Sequence, residues 1–386
     1  MAKKILRFLS YVLVAVAASV VTLMYAPVPE CVPTSSKLDQ LADLIEERFI
    51  GESDRTAMED AAAAAMVDSL GDEWSYYIPA AAYQSHVERM NNAYVGVGIT
   101  ITVREDETGV DVLKVNVGGP ADEAGMLPGD VIIAVDGMSI AGMDTDTLGT
   151  YVKGEENTQV ILTVLRDGVQ LDLTVTRKKV LTPVATWQML DGGIGLITIA
   201  NFDDRCFDES KAAIEALLDQ GASALIFDVR NNPGGYKHEL VNLLDYLLPE
   251  GPLFRSEDYK GNVFVDESDK ACLEIPMAVL VNDSSYSAAE FFAAALREYE
   301  AAVVVGQQTY GKGYFQTTIR LNDGSAVGLS VGKYTTPNGN NLAGVGITPD
   351  VVVEVDEETD FMIYAGTMDP ALDPQVQAAV EALKTE

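Results

Sequence analysis

The sequence has little histidine, little cysteine and little positive charge. Its 386 residues include two histidines, His86 and His238, and three cysteines, Cys31, Cys206 and Cys272. Three widely spaced cysteines form neither a zinc-binding pattern nor a disulfide framework. Lysine and arginine number 26 against 59 acidic residues, for a net charge of −33. Because contact with phosphate groups needs a basic surface, this balance argues against nucleic acid as a partner.

A long apolar run lies near the start of the chain. Lys3, Lys4 and Arg7 precede an uncharged stretch that covers residues 8–26. Such a stretch is long enough to span a bilayer as a helix, and the basic residues before it favour export of the chain after it. We therefore expect residues 1–27 to be a single-pass anchor in the cell membrane, with the rest of the chain on the extracytoplasmic side. A cleaved signal peptide is the alternative.

The hydrophobic pattern divides the remaining chain into four predicted segments. Residues 35–93 have helical spacing, and residues 94–178 form short alternating strands. Residues 179–355 alternate strands with helices, which predicts a mostly parallel sheet covered by helices. Residues 356–386 form a helical tail. The predicted fold class is therefore multi-domain α+β with an α/β core.

The β-rich segment carries a motif of its own. The stretch GGPADEAGMLPGDVIIAVDG, residues 118–137, together with an earlier VGVGI, resembles a PDZ domain. The resemblance implies that an extended peptide adds to the sheet as a strand and that backbone N–H groups hold its terminal carboxylate. A plain β-rich domain with tight turns is the alternative. The loop expected to bind the peptide consists of Val95, Gly96, Val97 and Gly98.

Two stretches resemble ligand-binding loops but lack a required residue. GQQTYGKG, residues 306–313, matches a phosphate loop through Lys312, but Gly313 replaces the magnesium-binding Ser or Thr and a strand-like sequence follows. Residues 144–155 are spaced like a calcium loop, but Leu148 stands where an oxygen ligand is needed. We therefore predict neither a metal nor a nucleotide cofactor.

Three other features point to nucleophilic catalysis. The stretch NDSSYSAAE, residues 282–290, places serines at the start of an Ala-rich helix. The turn DVRNNPGG, residues 228–235, can point backbone N–H groups outward as an oxyanion site requires, although a plain strand-to-helix turn also uses such glycines. Lys312 lies between two glycines. A lysine whose pKa is lowered by burial can replace histidine as the general base. Glu290 is interpreted as a carboxylate that complements the helix dipole.

Together these motifs resemble the carboxyl-terminal processing peptidases over residues 36–386. The likeness rests on VLVNDSSYSAAEFFAAAL, TYGKGYFQ, DVRNNPGG and YTTPNGNNLAGVGITPDVVV, preceded by the PDZ-like segment. It implies a peptidase core with crotonase-like and ClpP-like ββα character. It also implies that Ser287 is the nucleophile, Lys312 the base and Gln316 the residue that orients the lysine. The implied oxyanion hole comprises the N–H of Ala288 with that of Gly234 or Gly235.

The sequence departs from the family pattern at several positions. Small or basic residues of the family are replaced at Ser284, Tyr286, Ala289, Lys153 and Asn340. None of these changes removes the serine or the lysine. Tyr286 could narrow the cleft, and Lys153 puts in doubt any signal that passes through the usual arginine.

The sequence therefore predicts a serine endopeptidase that recognises protein C-terminal tails and cleaves through an acyl-enzyme. The resemblance also implies a homodimer, and a regulatory partner protein stays open. Two other functions remain possible at this point. One is a catalytically silent PDZ scaffold that binds tails, and the other is a crotonase-like acyl-CoA enzyme.

Overall fold

A computed structural model of the protein describes residues 36–384, apart from Glu105. The predicted anchor at residues 1–27 lies outside this range. Across residues 36–104 and 106–384, no helix is both long and apolar enough to cross a membrane. The chain divides into two compact units between Val67 and Asp68.

The first unit contains two helices, α1 (Lys37–Arg48) and α2 (Arg55–Asp68). Helix α1 begins with a capping box, in which Ser36 Oγ accepts the N–H of Asp39 and the Asp39 carboxylate accepts the N–H of Ser36. Arg55 donates to Asp43 of α1 at 2.7 Å. Both helices were expected from the spacing of their apolar residues, and the structure confirms them.

The second unit begins with a short strand and continues into the β-rich segment. Its first elements are β1 (Tyr76–Ile78), α3 (Ala80–Met90), β2 (Ala93–Gly96), β3 (Ile99–Val103), β4 (Val110–Val115), α4 (Pro120–Glu123), β5 (Val131–Val135), β6 (Met138–Ser139), α5 (Thr145–Val152), β7 (Gln159–Arg166) and β8 (Val169–Thr176). Strands β3, β4, β5, β7 and β8 form an antiparallel sheet in that order, with β6 paired to β5. Within the described chain β3 pairs only with β4, so its other edge is open towards α5.

The remaining elements of the second unit form the core. They are β9 (Lys178–Leu181), β10 (Ala185–Leu190), β11 (Ile194–Ile199), α6 (Cys206–Asp219), β12 (Ala224–Asp228), α7 (Lys237–Leu247), β13 (Gly251–Asp258), β14 (Val263–Ser268), β15 (Met277–Val281), α8 (Ala288–Glu298), β16 (Ala302–Gly306), β17 (Tyr314–Arg320), β18 (Ala326–Thr335), β19 (Val351–Val352), α9 (Glu357–Tyr364) and α10 (Pro374–Ala382). Strand β9 pairs with β2.

A six-stranded sheet with the order β10-β11-β12-β15-β16-β19 lies at the centre of this core. All neighbours are parallel except β10 and β11, which confirms the predicted mostly parallel sheet. Successive residues of a strand face opposite sides. Leu225 and Phe227 therefore pack with α6, α7 and α8, whereas Ala224 and Ile226 pack with α10. The packing of this sheet against α8 therefore positions the loop that joins β15 to α8.

A second sheet is centred on β18, which the sequence pattern did not predict. Strand β17 pairs with one edge of β18, and β1 and β13 pair with the other edge. Strand β14 extends the sheet beyond β13. The sequence analysis assigned no strand to β13, β14 or β18. Charged or small residues interrupt their apolar pattern, so their pairing depends on distant partners.

Candidate active site

Ser287 lies at a sharp turn between a buried strand and a helix. It follows β15 by a short loop and directly precedes α8. Its backbone has φ 60° and ψ −125°, a region that residues other than glycine rarely adopt. Strain of this kind concentrates at functional sites, and a strained strand-to-helix turn is how a nucleophilic serine is presented at the top of a sheet. The side chain of Ser287 is partly exposed.

The serine loop is fixed to the DVRNNPGG turn by hydrogen bonds. Ser285 Oγ donates to the carbonyl of Val229 at 2.7 Å, and the side chain of Asn282 and Asn231 form a reciprocal pair at 2.9 Å. The N–H of Tyr286 donates to the carbonyl of Asn232 at 3.1 Å. The two motifs that looked separate in the sequence are therefore one structural unit.

Gly234 lies directly against Ser287. It has φ +87°, and a Cβ atom at this position would lie 2.7 Å from Ser287 Cβ and 2.8 Å from the nitrogen of Ala288. Only glycine fits such a space. The N–H of Gly234 donates to Asn232 Oδ1 at 2.8 Å, so this predicted oxyanion donor already has an acceptor.

Two other predicted oxyanion donors have no such acceptor. Phe202 and Gly235 form an isolated parallel bridge. The N–H of Phe202 donates to the carbonyl of Gly234, and the carbonyl of Phe202 accepts the N–H of Tyr236. In such a bridge the N–H of Gly235 itself points away from Phe202. Ala288 occupies the first position of α8, where a helix leaves the N–H without an intrahelical acceptor. Among residues 36–104 and 106–384, neither N–H has a hydrogen-bond acceptor.

Lys312 lies against an aromatic cage, which consists of Trp74, Tyr286 and Tyr310. The Nζ atom is 4.4 Å from the centroid of the Trp74 ring and 6.0 Å from that of the Tyr286 ring. The three rings are 5.2–6.2 Å from one another, centroid to centroid. A ring face attracts a cation, so the cage favours the ammonium form.

Burial acts on Lys312 in the opposite direction and dominates. It lowers the pKa of Lys312 to about 8, against the smaller effect of the negative charges of Asp72 and Glu290. Within the part of the chain that the structure describes, the Nζ atom has no hydrogen bond and no ion pair. A substantial fraction of this amine is therefore neutral slightly above pH 7, as a general base requires.

Glu290 holds the backbones of the serine and the lysine in one frame. Its side chain is fully buried. Oε2 accepts the N–H of Ser287 at 3.0 Å and that of Lys312 at 2.9 Å. Oε1 accepts Thr309 Oγ1 at 2.6 Å and the N–H of Gly311 at 2.7 Å. Burial raises the pKa of Glu290, and the four donors oppose that rise. Its interpretation as a dipole-complementing carboxylate missed this clamp, although the S-x-x-E spacing of a capping box signals it.

Tyr334 provides the hydrogen-bond partner of the serine hydroxyl. Its OH lies 3.0 Å from Ser287 Oγ. The ring is buried among Phe254, Phe291 and Phe315. Burial also raises the pKa of the Tyr334 phenol far above its ordinary value. Tyr334 is the first residue of the YTTPNGNN motif, but that motif did not predict the contact with the serine, because the strand β18 that carries the phenol was not predicted.

The side-chain amide of Gln316 bonds to groups other than the lysine. Its Nε2 donates to Ser330 Oγ at 3.0 Å and to the carbonyl of Tyr314 at 3.2 Å. Gln316 and Ser330 are paired across β17 and β18, and the register shifts between Phe315 and Gln316. The predicted role of Gln316 in orienting Lys312 therefore stays a prediction.

The turn below the serine is also tied to a distant helix. Arg230 is buried and pairs with Asp228 at 2.6 Å and with Asp373 at 2.8 Å. Asp373 caps α10 by accepting the N–H groups of Gln375 and Val376. Helix α10 is therefore coupled electrostatically to the DVRNNPGG turn.

The predicted peptide-binding loop, residues 95–98, directly precedes β3 in the chain, and β3 is the strand with the open edge. Residues Val95 and Gly96 pair with β9, while the carbonyls of Val97 and Gly98 accept the N–H groups of other residues. The ring of Tyr94 covers Gly96, where a Cβ would come within 2.8 Å of it. Lys153 places its Nζ 5.5 Å from the centroid of the same ring.

Comparison with known proteins agrees with this arrangement. The profile of peptidase family S41 matches residues 193–353, and that of the PDZ domain matches residues 112–166. The chain is 33% identical over 296 residues to the carboxyl-terminal-processing protease of Synechocystis, covering 75% of this chain and 68% of that protein. It belongs to the S41 carboxyl-terminal processing peptidases.

A further relative and a solved structure are also similar to this chain. A protein of Staphylococcus aureus described as a CtpA-like serine protease is 31% identical over 336 residues, covering 86% of this chain and 67% of that protein. A solved structure described as an S41 protease of Bacteroides fragilis shares the fold, with a TM-score of 0.55 at 16% identity, covering 90% of this chain and 97% of that one. This S41 peptidase is therefore a serine peptidase with a PDZ domain. The acyl-CoA enzyme considered from the sequence is not supported.

Proposed function

We propose that the chain is an endopeptidase that cleaves with a Ser287–Lys312 dyad. The observation that carries this proposal is the strained backbone of Ser287, since a serine held at φ 60° directly before a helix has no structural advantage over glycine. Glu290 Oε2 accepts the backbone N–H groups of both proposed dyad residues, which supports their acting together. Burial supplies a lysine whose pKa of about 8 suits a general base.

The proposed reaction begins when neutral Lys312 takes the proton of Ser287. The Oγ atom attacks the scissile carbonyl carbon, and the resulting oxyanion accepts hydrogen bonds from the N–H groups of Ala288 and Gly235. Protonated Lys312 then gives its proton to the leaving amine as the C–N bond breaks. Water, deprotonated by the same lysine, hydrolyses the ester to release the acid and restore Ser287. No metal or nucleotide takes part.

The dyad must close before this reaction can begin. Ser287 Oγ bonds to Tyr334 and the Lys312 amine lies on the aromatic cage, so neither side chain reaches the other in this structure. A rotation of the lysine side chain away from Trp74 would bring the two together. We expect such closure to accompany substrate binding, because catalytic hydrogen bonds commonly tighten only in the substrate complex.

Recognition of substrate is assigned to the PDZ domain. The open edge of β3 offers unpaired backbone groups to which a peptide can add as a strand. The preceding loop, Val95–Gly98, would receive the terminal carboxylate. Lys153 provides a positive charge beside this loop. The preferred substrates are therefore proteins with exposed, extended C-terminal tails.

Cellular context is also part of the proposal. The basic and apolar residues at 3–26 support a membrane anchor, with the peptidase on the extracytoplasmic side. A homodimer, which only the family resemblance implies, is also part of the proposal, and a regulatory partner protein stays open. The catalytically silent scaffold is not favoured: Tyr286, which motivated it, belongs to the aromatic cage, and Ser287 is still partly exposed.

The test compares wild type, Ser287→Ala and Lys312→Ala in the cleavage of an unfolded protein with an apolar C-terminus. We expect wild type to cleave in the presence of a chelator, and both variants to be inactive. A second substrate that differs only in an amidated C-terminus removes the carboxylate and should raise KM. Wild-type cleavage that persists unchanged in Lys312→Ala would show that another group is the base.

A further inference from the structure

The phenol of Tyr334 has a single hydrogen-bond partner in the described chain, Ser287 Oγ at 3.0 Å. Tyr334 is 4% exposed, so its hydroxyl is largely shielded from bulk solvent. A buried hydroxyl without an acceptor is costly. The geometry allows either oxygen to donate, and we assign the donation to the phenol because Ser287 Oγ is its one acceptor among the described residues. Ser287 is partly exposed, and its own proton remains available to the base.

The hydroxyl of Tyr334 is not needed for packing. Phe254, Phe291 and Phe315 surround the ring with centroid distances of 4.5–6.1 Å, a setting in which phenylalanine would pack equally well. Burying a polar group there has a cost that one hydrogen bond offsets only partly. The presence of the hydroxyl is thus explained by its contact with Ser287.

The backbone of the same residue reaches the lysine loop. The N–H of Tyr334 donates to the carbonyl of Gly313, the neighbour of Lys312, at 3.2 Å. The side-chain amide of Asn341 donates to the carbonyl of Tyr334 at 3.2 Å. Strand β18 therefore holds the phenol in a fixed position relative to both dyad residues.

We propose that Tyr334 is a positioning residue whose phenol O–H holds Ser287 Oγ for attack and supports the negative charge that develops on it. This inference deepens the proposed peptidase function and rests on it. Donation to an anionic oxygen is stronger than donation to a neutral hydroxyl, and an ester oxygen is a weak acceptor. The contribution is therefore greatest when Oγ loses its proton and again when it leaves the acyl-enzyme.

The test uses Tyr334→Phe, with Tyr299→Phe as the matched control. The Tyr299→Phe change also removes one hydrogen bond, which the Tyr299 OH donates to the carbonyl of Pro252 at 3.1 Å, away from the serine. The full chain is treated with a fluorophosphonate, whose phosphorus is attacked by Oγ with loss of fluoride, and the labelling rate is measured. We expect Tyr334→Phe to slow labelling about tenfold, the loss of roughly one hydrogen bond, and to lower kcat with KM unchanged. Tyr299→Phe should label at the wild-type rate.

Labelling by Tyr334→Phe at the wild-type rate would overturn the proposal, and so would faster labelling, which would mean that the phenol restrains the nucleophile. A thermal-denaturation cycle of Ser287→Ala, Tyr334→Phe and the double variant gives a second readout that needs no activity. We expect Ser287→Ala to destabilise the protein more when the phenol is present, since the phenol then lacks an acceptor. Additive effects would contradict the bond. If wild type resists the label while the cycle shows coupling, the peptidase proposal fails and the bond stands.

Discussion

Ser287 and Lys312 donate their backbone N–H groups to the same atom, Oε2 of Glu290, although their side chains form no hydrogen bond with each other. The backbone frame of the site is therefore complete before the side chains of the dyad meet. Assembly of the site then requires only side-chain rotation, which is fast compared with a change of fold.

Glu290→Gln tests this frame. The amide NH₂ would face two donors in either orientation, namely two N–H groups at the Oε2 position or one N–H and the Thr309 hydroxyl at the Oε1 position. We expect a loss of about 100-fold in kcat from misplacement of the dyad, and a loss of roughly 2–4 kcal/mol in the free energy of unfolding. Glu298→Gln is the control, since Glu298 at the end of α8 also accepts several bonds, but from the more exposed 336–340 turn. A wild-type kcat in Glu290→Gln would show that the carboxylate is not needed to position Ser287 and Lys312.

The rate of cleavage should rise with pH through the pKa of Lys312. The base is active only when neutral, and burial places that pKa at about 8. We therefore expect kcat/KM to increase roughly tenfold per pH unit below this value and to level off above it. The measurement is a kcat/KM profile from pH 6 to pH 10 with a peptide that has no titrating side chain. A flat profile, or one that falls with rising pH, would exclude Lys312 as the base.

The aromatic cage should set the midpoint of that profile. Trp74→Leu keeps the site apolar but removes a ring face that stabilises the ammonium, worth about 0.5–1 kcal/mol. The midpoint should fall by roughly half a pH unit. Trp187→Leu is the control, because Trp187 lies on β10 and is 42% exposed. If the midpoint of Trp74→Leu does not move, the cage does not act on the charge of Lys312.

The buried amine should also reduce the stability of the fold. Below the folded pKa of about 8 the lysine is charged in both the folded and the unfolded state, so the full cost of burying the charge is present. This cost declines as pH rises from about 8 towards the ordinary value of 10.5. Lys312→Met should therefore raise Tm most at pH 6 to 7 and least near pH 10. A gain in Tm that grows with pH would contradict the assigned direction of the pKa shift.

Gly234→Ala should abolish cleavage. A Cβ at Gly234 would overlap the position of Ser287 and displace it. Gly221→Ala shares the backbone strain, with φ +90° against +87°, but has open space around its Cβ position. Both variants should lose about 1–2 kcal/mol of stability from the positive φ, and only Gly234→Ala should lose its activity. Calorimetry together with the cleavage assay separates the two effects.

The sequence predicted the parts of the fold that have a strong local signal. The apolar strands β11, β12, β15 and β16 are buried on both faces, and the helices between them have helical spacing. The second sheet was missed because the apolar run of β14 stops after three residues at Asp266 and Glu267, and β18 contains glycines. Its strands are stable only as partners of one another, which no local window of sequence reveals.

The same limit applies to the candidate site. Ser287, Lys312 and the glycine turn each lie in a short recognisable motif. Trp74 reaches the site from a distant part of the chain, and no motif marks it. Tyr334 is the first residue of the YTTPNGNN motif, but nothing in that motif shows that its phenol meets the serine. The rotamers of Lys312 and Gln316 depend on packing and register, which explains why their predicted contact is not formed here.

The backbone of Ser287 has an evolutionary consequence. A residue other than glycine at φ 60° carries a strain of about 1–3 kcal/mol, and glycine would relieve it. A lineage that no longer needed to cleave would thus gain stability by losing this serine, and a reversion would have to restore the strain. The fold makes loss of catalysis easy and its recovery difficult, so the serine persists only while selection for cleavage maintains it.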